Sequence, residues 1–342
     1  MGDMTEIDID WRGPALPQER GELSAAVIGY LGGGASLPSG PTVPPEALNP
    51  YGDDLQLALY VCYELHYRGF AGVSPSFEWD PALLSLRSRL ESHFLTTLRK
   101  DAHRHETVDA ALAGLLVEPV EGTSVSHFLQ DKGELWQLNE FAAQRSAYHL
   151  KEADPQAWVL PRLWGRAKAG MAAVEFDEYG GGRAERAHAQ LFADLMKDLG
   201  LDTTYGHYVD ATAAPMLATV NLMSLFGLHR ALRGCLVGHF AAVEVTSSPG
   251  SRRLAEALRR TGAGPAAEFF YTEHVEADAV HEQLVRREVI GGLLEEEPHL
   301  EADIAFGIDA TVHLEDLLSG HLLDAWRDDR TSLYVSGQAE GS

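Results

Sequence analysis

Apolar residues recur at α-helical spacing along most of this 342-residue chain, and this period constrains the fold more than any other feature. The pattern is clear from Asp53 to Arg68 and again from Asp80 to Arg99. After Ser124, nearly every segment as far as Arg327 has the same period. No stretch of useful length alternates apolar and polar residues as a strand does. The sequence therefore predicts an all-α protein.

Interruptions of this period divide the chain. Residues 33–50 are rich in Gly, Pro and Ser, so residues 1–50 are predicted to be a flexible N-terminal segment and linker. The two amphipathic helices make residues 51–130 an N-terminal helical region, which would pack against the rest of the chain. The main helical bundle is predicted over residues 131–330, and residues 331–342 form a tail.

Charge and composition exclude several classes of partner. The chain has 27 lysines and arginines against 51 aspartates and glutamates, which gives a formal net charge of -24. No cluster of basic residues interrupts this acidity, so nucleic acid and anionic membranes are not expected partners. Such acidity also fits a cationic substrate, although surface charge commonly serves only solvation.

The cysteines and the apolar segments indicate the compartment. Cys62 and Cys235 both lie in apolar helical patterns, which is typical of buried free thiols in a reducing compartment. The N-terminus has no apolar segment of the kind found in secretory signals. The most apolar stretch, from Pro215 to Leu228, is too short to span a membrane and is predicted to be a buried core helix. A cytoplasmic location is expected.

Three strong metal ligands, His274, Asp278 and His281, stand at positions i, i+4 and i+7 of one predicted helix. At 3.6 residues per turn these offsets fall within roughly 60° of arc, so two imidazoles and a carboxylate project from one face. Such a strip can bind iron or another borderline metal. Two histidines at helical spacing also occur by chance on solvated helices, so a metal site needs further ligands.

A site for two iron ions in a helical bundle needs about six or seven ligands from several helices, because each helix presents only one narrow strip to the centre. Glu244 is an informative candidate because it lies in the apolar segment 240–245, where an ionised carboxylate is costly unless it is paired or bound to a metal. Arg230 and Arg233 are the alternative partners for this carboxylate. The further candidates are Glu152, Glu178, Glu185 and His188.

The charges of this set balance those of two ferrous ions. Two Fe²⁺ ions carry four positive charges, and four carboxylates would balance them: Glu152, Glu244, Asp278 and one of Glu178 and Glu185. Mixed imidazole and carboxylate ligands are more typical of an iron site than of a closed structural zinc site, which usually contains thiolates. Both cysteines lie outside the set.

The order and spacing of these residues resemble those of the heme-oxygenase-like diiron oxidases, often called iron-containing redox enzymes. The resemblance covers residues 135–327, where the ligands agree in type and order across four helices. It implies a heme-oxygenase-like helical bundle with an additional N-terminal helical region, so that residues 131–330 form the diiron domain. It also implies a homodimer, with the N-terminal helices as its surface. The implied metal ligands are Glu152, Glu178, His188, Glu244, His274, Asp278 and His281.

One ligand position has two candidates. Glu178 precedes His188 by ten residues, and Glu185 precedes it by three. In an unbroken helix ten residues rise about 15 Å, too far for irons about 4 Å apart, so geometry alone favours Glu185. The resemblance favours Glu178, and the glycines at 180–182 could unwind the helix enough to allow it. We take Glu178 as the ligand and Glu185 as its alternative.

The resemblance implies an O₂-dependent oxidoreductase with two Fe(II) ions, a small-molecule substrate and an external electron donor, either a reductase or a chemical reductant. The chain resembles the long form that includes the N-oxygenase of streptozotocin biosynthesis, but it stops where that form continues into a cupin domain. The second iron chemistry attributed to the cupin is therefore expected to be absent. By this analogy we expect N-oxygenation of an amine or amino acid, such as a cationic amine, in specialised metabolism.

Three alternatives remain open. The same iron chemistry could perform desaturation or alkene-forming C–C cleavage of an amino or fatty acid. A helical interaction protein could carry similar charged faces without binding a metal. A heme oxygenase would share the fold but needs only one axial histidine near the N-terminus, which leaves the buried carboxylates unexplained.

Overall fold

The computed structural model describes residues 13–34, 37, 48–117 and 124–337, apart from the side chains of Glu276, Asp278 and Ala279. Every regular element in these ranges is helical, which confirms the all-α prediction. The α-helices are α1 (Glu22–Leu31), α2 (Asp53–Glu64), α3 (Pro81–Asp101), α4 (Val108–Ala113), α5 (Val125–Asp131), α6 (Leu135–His149), α7 (Asp154–Ala157), α8 (Gly165–Glu178), α9 (His188–Asp198), α10 (Ala214–Leu228), α11 (Arg233–Thr261), α12 (Pro265–Leu284), α13 (Gly291–Glu296) and α14 (Glu301–Arg327).

Helix α10 lies in the core, as its apolar sequence predicts. Almost all of its side chains are buried, including Leu217, Leu222 and Phe226. Pro215 occupies the first turn, where its missing N–H removes no helical hydrogen bond. Among the described residues, no helix has both the length and the apolar character needed to cross a membrane.

The long helix α11 packs along both α12 and α14, and α12 also packs against α9. Glycines set how closely α11 and α14 approach. A Cβ atom on Gly238 would overlap the carbonyl oxygen of Ile304, and one on Gly307 would overlap that of Cys235. Cys235 and Cys62 are buried and free, as predicted, and burial raises the pKa of each thiol to about 12.

The N-terminal helices pack against the rest of the chain. Helices α1 and α2 contact each other, α2 also contacts α10, and both α3 and α4 contact α14. The prediction of a flexible segment over residues 1–50 is wrong for residues 22–31, which form α1. Val27 and Leu31 are buried there, and the Asp54 carboxylate accepts hydrogen bonds from the N–H groups of Leu23 and Ser24. Neighbouring Gly and Pro residues obscured this short helix in the sequence. Most of the predicted linker lies outside the described residues.

Part of the predicted C-terminal tail is also ordered. Ser332 is buried, and its N–H and Oγ lie 2.9 and 2.7 Å from Oε2 of Glu140 on α6. The hydroxyl of Thr331 donates to the other oxygen of the same carboxylate. A long-range contact of this kind leaves no periodic signal in a short polar sequence. Residues 338–342 lie outside the described part of the chain.

Candidate metal centre

The connection between α8 and α9 decides whether Glu178 or Glu185 lies beside His188. Helix α8 ends at Glu178, and Gly180, Gly181 and Gly182 all have positive φ angles of 71°, 63° and 81°. A Cβ atom on Gly180 would lie only 2.5 Å from the backbone nitrogen of Ala187, so the tight return of the chain requires glycine. The chain folds back, and Glu178 Oε2 comes within 2.8 Å of His188 Nδ1.

Glu185, the alternative candidate, lies away from this contact. It stands in a 3₁₀ turn between α8 and α9, and its side chain is exposed. The rise of about 15 Å that favoured Glu185 applies only to an unbroken helix. Because the helix is broken, Glu178 and His188 can meet although ten residues separate them.

The remaining candidates come from three other parts of the bundle. Glu152 lies in the turn between α6 and α7, and Glu244 lies in the middle of α11. His274 and His281 both project from α12. Asp278 lies between them on the same helix, but its side chain is outside the described residues.

The structure brings six predicted ligands together in two groups of three. Within each group the ligand atoms all lie within 4.8 Å of one another, and all six side chains are buried. Glu178 contacts both groups, because Oε2 faces His188 while Oε1 lies 3.4 Å from His281 Nδ1. One group is Glu152, His188 and His274, and the other is Glu178, Glu244 and His281.

His274 has the hydrogen-bond pattern of a metal-binding histidine. Its Nδ1 lies 2.7 Å from the carbonyl oxygen of Phe270, which can only accept, so Nδ1 carries the proton. The lone pair is therefore on Nε2, which is buried and has no hydrogen-bond partner among the described residues. Burial, together with the nearby His188, lowers the pKa of His274. An orphaned buried acceptor of this type fits a bound cation.

Glu152 is held by a histidine outside the predicted set. His149 Nδ1 lies 2.9 Å from Glu152 Oε2, and the His149 ring packs against Phe192 and Phe270. Burial acts to raise the pKa of Glu152, but His149, His274 and His188 outweigh it and lower that pKa to about 2. From sequence, His149 is most simply interpreted as a core histidine. Only its position three residues before Glu152 suggested another role.

His281 connects the second group to the protein surface. Its Nδ1 lies 3.3 Å from Glu244 Oε2, and its Nε2 lies 3.4 Å from Asp177 Oδ2. The Asp177 side chain is about half exposed, at 54%. Sequence analysis did not identify Asp177, although it directly precedes Glu178. A carboxylate on the second imidazole nitrogen is a common way to orient a metal-binding histidine.

The two arginines considered as partners of Glu244 lie elsewhere. Arg233 pairs with Glu297, and Arg230 is exposed. Glu244 instead faces His281 and Glu178 in the second group.

The N-terminal helices hold the turn that carries Glu152. Lys151 Nζ lies 2.8 Å from Glu64 Oε2 at the end of α2, and the two side chains are 1% and 0% exposed. Arg68, just beyond α2, donates through Nη2 to the carbonyl oxygen of Leu150 at 3.1 Å. The sequence indicated no ligands in the N-terminal region. Its contribution to the site is to hold the Lys151 side chain and the carbonyl group of Leu150, which directly precede Glu152.

Both long ligand helices are irregular beside the site. Pro249 lies inside α11, five residues after Glu244, and lacks the N–H that would bond to the carbonyl of Val245. Helix α12 continues into a π-helical segment, Val285–Ile290, shortly after His281. Segments of this type occur frequently at functional sites.

The chemistry of the donor set fits iron. One group offers two imidazoles and one carboxylate, and the other offers one imidazole and two carboxylates. Nitrogen and oxygen ligands of this mixture, without thiolates, are typical of non-heme iron sites. The buried carboxylates would be costly without a cation, because like charges close together repel in a medium of low dielectric constant.

Comparisons with known proteins agree with this geometry. The model of a family described as iron-containing redox enzyme matches residues 139–316, more than half of the chain, and all six clustered residues lie within the match. The nitrosourea synthase of Streptomyces achromogenes subsp. streptozoticus is 25% identical over 190 residues, which cover 56% of this chain and 39% of that protein. The chain thus matches well under half the length of this relative. The buried histidine and carboxylate groups and the family match together establish that this chain belongs to the heme-oxygenase-like family of iron-containing redox enzymes.

Proposed function

We propose that this oxidoreductase is a non-heme diiron oxygenase that uses O₂ to oxidise the nitrogen of a small amine or amino acid. The observation that carries the proposal is the pair of buried ligand groups joined by Glu178, whose two oxygens each contact a histidine of a different group. A carboxylate in this position would help to hold both ions of a two-metal site. The proposed ligands are Glu152, Glu178, His188, Glu244, His274, Asp278 and His281.

The reaction balances with O₂ as the oxidant and an external two-electron donor. One oxygen atom of O₂ enters a new N–O bond, which converts an amine to a hydroxylamine, and two electrons and two protons reduce the other atom to water. The bound Fe(II) ions would supply the chemistry that activates O₂. The name of the relative, nitrosourea synthase, describes a compound with an N–O bond and supports nitrogen oxidation over C–C cleavage.

The described residues would serve this reaction by holding the ions and excluding water. All six clustered ligands are buried, and His274 keeps a lone pair on Nε2 because Nδ1 donates to Phe270. His149 and Asp177 would orient Glu152 and His281 through the contacts described above. We further propose a cytoplasmic homodimer that acts in specialised metabolism and receives electrons from a reductase or a chemical reductant.

Iron analysis of matched variants tests the metal site. Protein loaded with Fe(II) under anaerobic conditions should bind two iron ions per chain, and Glu178→Gln should lose most of that iron. Glu185→Gln is the control, because Glu185 is an exposed carboxylate seven residues away. Two irons in Glu178→Gln, or one or fewer in the wild type, would contradict the proposal.

Product analysis tests the reaction. The Fe(II) protein is mixed once with O₂ and a panel of amines and amino acids, and the products are identified by mass spectrometry. A gain of one oxygen atom on nitrogen is expected. An alkene or a lost carbon fragment would instead favour desaturation or C–C cleavage, and the absence of any O₂-dependent optical change would contradict an oxygenase.

A further inference from the structure

Two histidines outside the candidate metal centre lie side by side in the connection between α3 and α4. His103 and His105 stand two residues apart, and the centres of their rings are 4.2 Å from each other. Residues 103–105 are not helical, and Ala102 before them has an extended conformation. In an extended segment, side chains two residues apart project to the same side. The backbone therefore presents the two imidazoles together.

A buried carboxylate orients one of the two rings. Asp309 lies on α14 and is 5% exposed. Its Oδ2 accepts a hydrogen bond from the backbone N–H of His105 at 2.8 Å, and its Oδ1 lies 2.6 Å from His105 Nδ1. Since the carboxylate accepts, Nδ1 carries a proton, and the lone pair of the neutral ring is on Nε2. A carboxylate on one imidazole nitrogen is the usual partner behind a metal-binding histidine.

The arginine between the two histidines is directed to the end of α3. Arg104 Nε donates to the carbonyl oxygen of Arg99 at 3.0 Å, and its Nη2 donates to the same oxygen. The His105 side chain remains 32% exposed, and His103 is exposed. Solvent and dissolved ions can therefore reach both imidazoles.

The distance between the rings suits a shared cation. Two imidazoles that bind one ion through nitrogens about 2.0–2.1 Å away have ring centres roughly 4.5–5 Å apart. Only a small side-chain movement separates the observed 4.2 Å from this arrangement. The ion pair with Asp309 accounts for the position of His105, but it does not account for the second imidazole beside it. Imidazole ligands suit zinc, copper, nickel and iron.

We propose that His103 and His105 form a surface site for a divalent transition-metal ion such as Zn²⁺. The site shares no residue with the two ligand groups of the bundle, and the inference does not depend on the proposed oxygenase function. Asp309 is a positioning residue, because it holds the His105 ring through Nδ1 and leaves Nε2 for the ion. A bound ion would link His103 to His105 and, through Asp309, to α14. It would thus fasten the connection between α3 and α4 to a helix that packs along α11.

Equilibrium dialysis against Zn²⁺ tests the site. Iron-loaded protein is dialysed anaerobically against a series of Zn²⁺ concentrations, and the zinc and iron in each sample are then counted by elemental analysis. The wild type should bind one more zinc ion per chain than His103→Gln. Any zinc that enters the bundle cancels in this comparison, because both proteins have the same bundle ligands. His299→Gln is the matched control, since the His299 side chain is 69% exposed, and it should bind as much zinc as the wild type.

A second variant tests the role of the carboxylate. Asp309→Asn should weaken zinc binding about 10-fold, the usual effect of losing the partner behind a metal-binding histidine. Unchanged zinc affinity in this variant would contradict the positioning role of Asp309. If Asp309→Asn does not fold, the comparison with His103→Gln still decides the site, because His103 is exposed and its replacement should not disturb folding.

Thermal unfolding gives a readout that does not depend on counting ions. Zn²⁺ should raise the Tm of the wild type more than that of His103→Gln, since a ligand that binds only the folded chain stabilises it. Equal zinc content in these two proteins would overturn the inference. An equal loss of zinc in His103→Gln and His299→Gln would also overturn it, because surface histidines would then bind the ion without a specific site. Iron content should be the same in all of these proteins, so a failure here leaves the diiron proposal unaffected.

Discussion

The ion pair between Glu64 and Lys151 gives a direct test of how the N-terminal region supports the candidate metal site. Both side chains are almost completely buried, and the N–O distance is 2.8 Å. The Tyr205 hydroxyl also donates to Glu64 at 2.6 Å, and Lys151 Nζ lies 4.4 Å from the centre of the Tyr67 ring. Because water cannot reach either group, removal of one partner leaves an uncompensated charge in a medium of low dielectric constant.

The expected effect follows from this burial. Lys151→Met should lower the free energy of unfolding by about 3–5 kcal/mol, the usual cost of breaking a buried pair. Glu64→Gln should have a cost of the same order. The double variant Glu64→Gln/Lys151→Met should recover most of the loss, because neither charge then remains buried alone. Since Lys151 precedes Glu152, we also expect Lys151→Met to weaken iron binding about 10-fold.

Urea unfolding of the metal-free proteins measures these free energies, and Arg327→Met provides the control. Arg327 pairs with Asp324 on the exposed end of α14, where the two side chains are 53% and 76% exposed. Loss of such a surface pair should change stability by less than about 1 kcal/mol. If Lys151→Met is as mild as this control, or if the double variant is no more stable than the single ones, the argument from burial is wrong.

Three further predictions concern the glycines and a core histidine. Gly180→Ala should reduce iron content in metal analysis, because alanine is strained at a φ of 71° and its Cβ would press on the backbone that brings Glu178 to His188. Gly238→Ala should lower the free energy of unfolding by about 1–3 kcal/mol in urea titration, since the added methyl group overlaps α14. Burial lowers the pKa of His239 to about 4 in the folded protein, whereas the pKa is about 6.5 in the unfolded chain. The neutral, buried imidazole therefore contributes stability that is fully present above pH 6.5 and is lost as the pH falls through 4, because only the unfolded chain takes up a proton in that range. His239→Gln in metal-free protein should therefore reduce by about 3 kcal/mol the free energy of unfolding that is lost between pH 6.5 and pH 4. If the pH dependence of the unfolding free energy is unchanged in this variant, the argument from burial of His239 is wrong.

The sequence predicted the helical class because period and polarity are local properties. Apolar residues at intervals of three and four mark the helices, and the unbroken apolar run of α10 marks a core position. Helix α1 escaped this reasoning because its burial depends on contacts with α2, which lies beyond a long linker. The order at Ser332 likewise depends on a carboxylate far away in the sequence.

Glu244 could be identified from sequence because a carboxylate in an apolar helix is locally unusual, whereas the full candidate set came from the resemblance in order and spacing to the diiron oxidases. The choice between Glu178 and Glu185 required the fold, since positive φ angles at the glycines reverse the chain and place Glu185 in solvent. Sequence reasoning also missed Asp177 and Lys151, whose roles depend on partners from other helices.

By itself, then, the sequence determined the helical class, the types of the candidate ligands and the helix that carries His274, Asp278 and His281. Spacing along one helix is set by its fixed rise and rotation per residue, so it can be read without knowing the fold. Only the tertiary structure decided which carboxylates meet which histidines and how the N-terminal region holds the turn that carries Glu152. These are distances between residues remote in sequence, and packing between helices sets them.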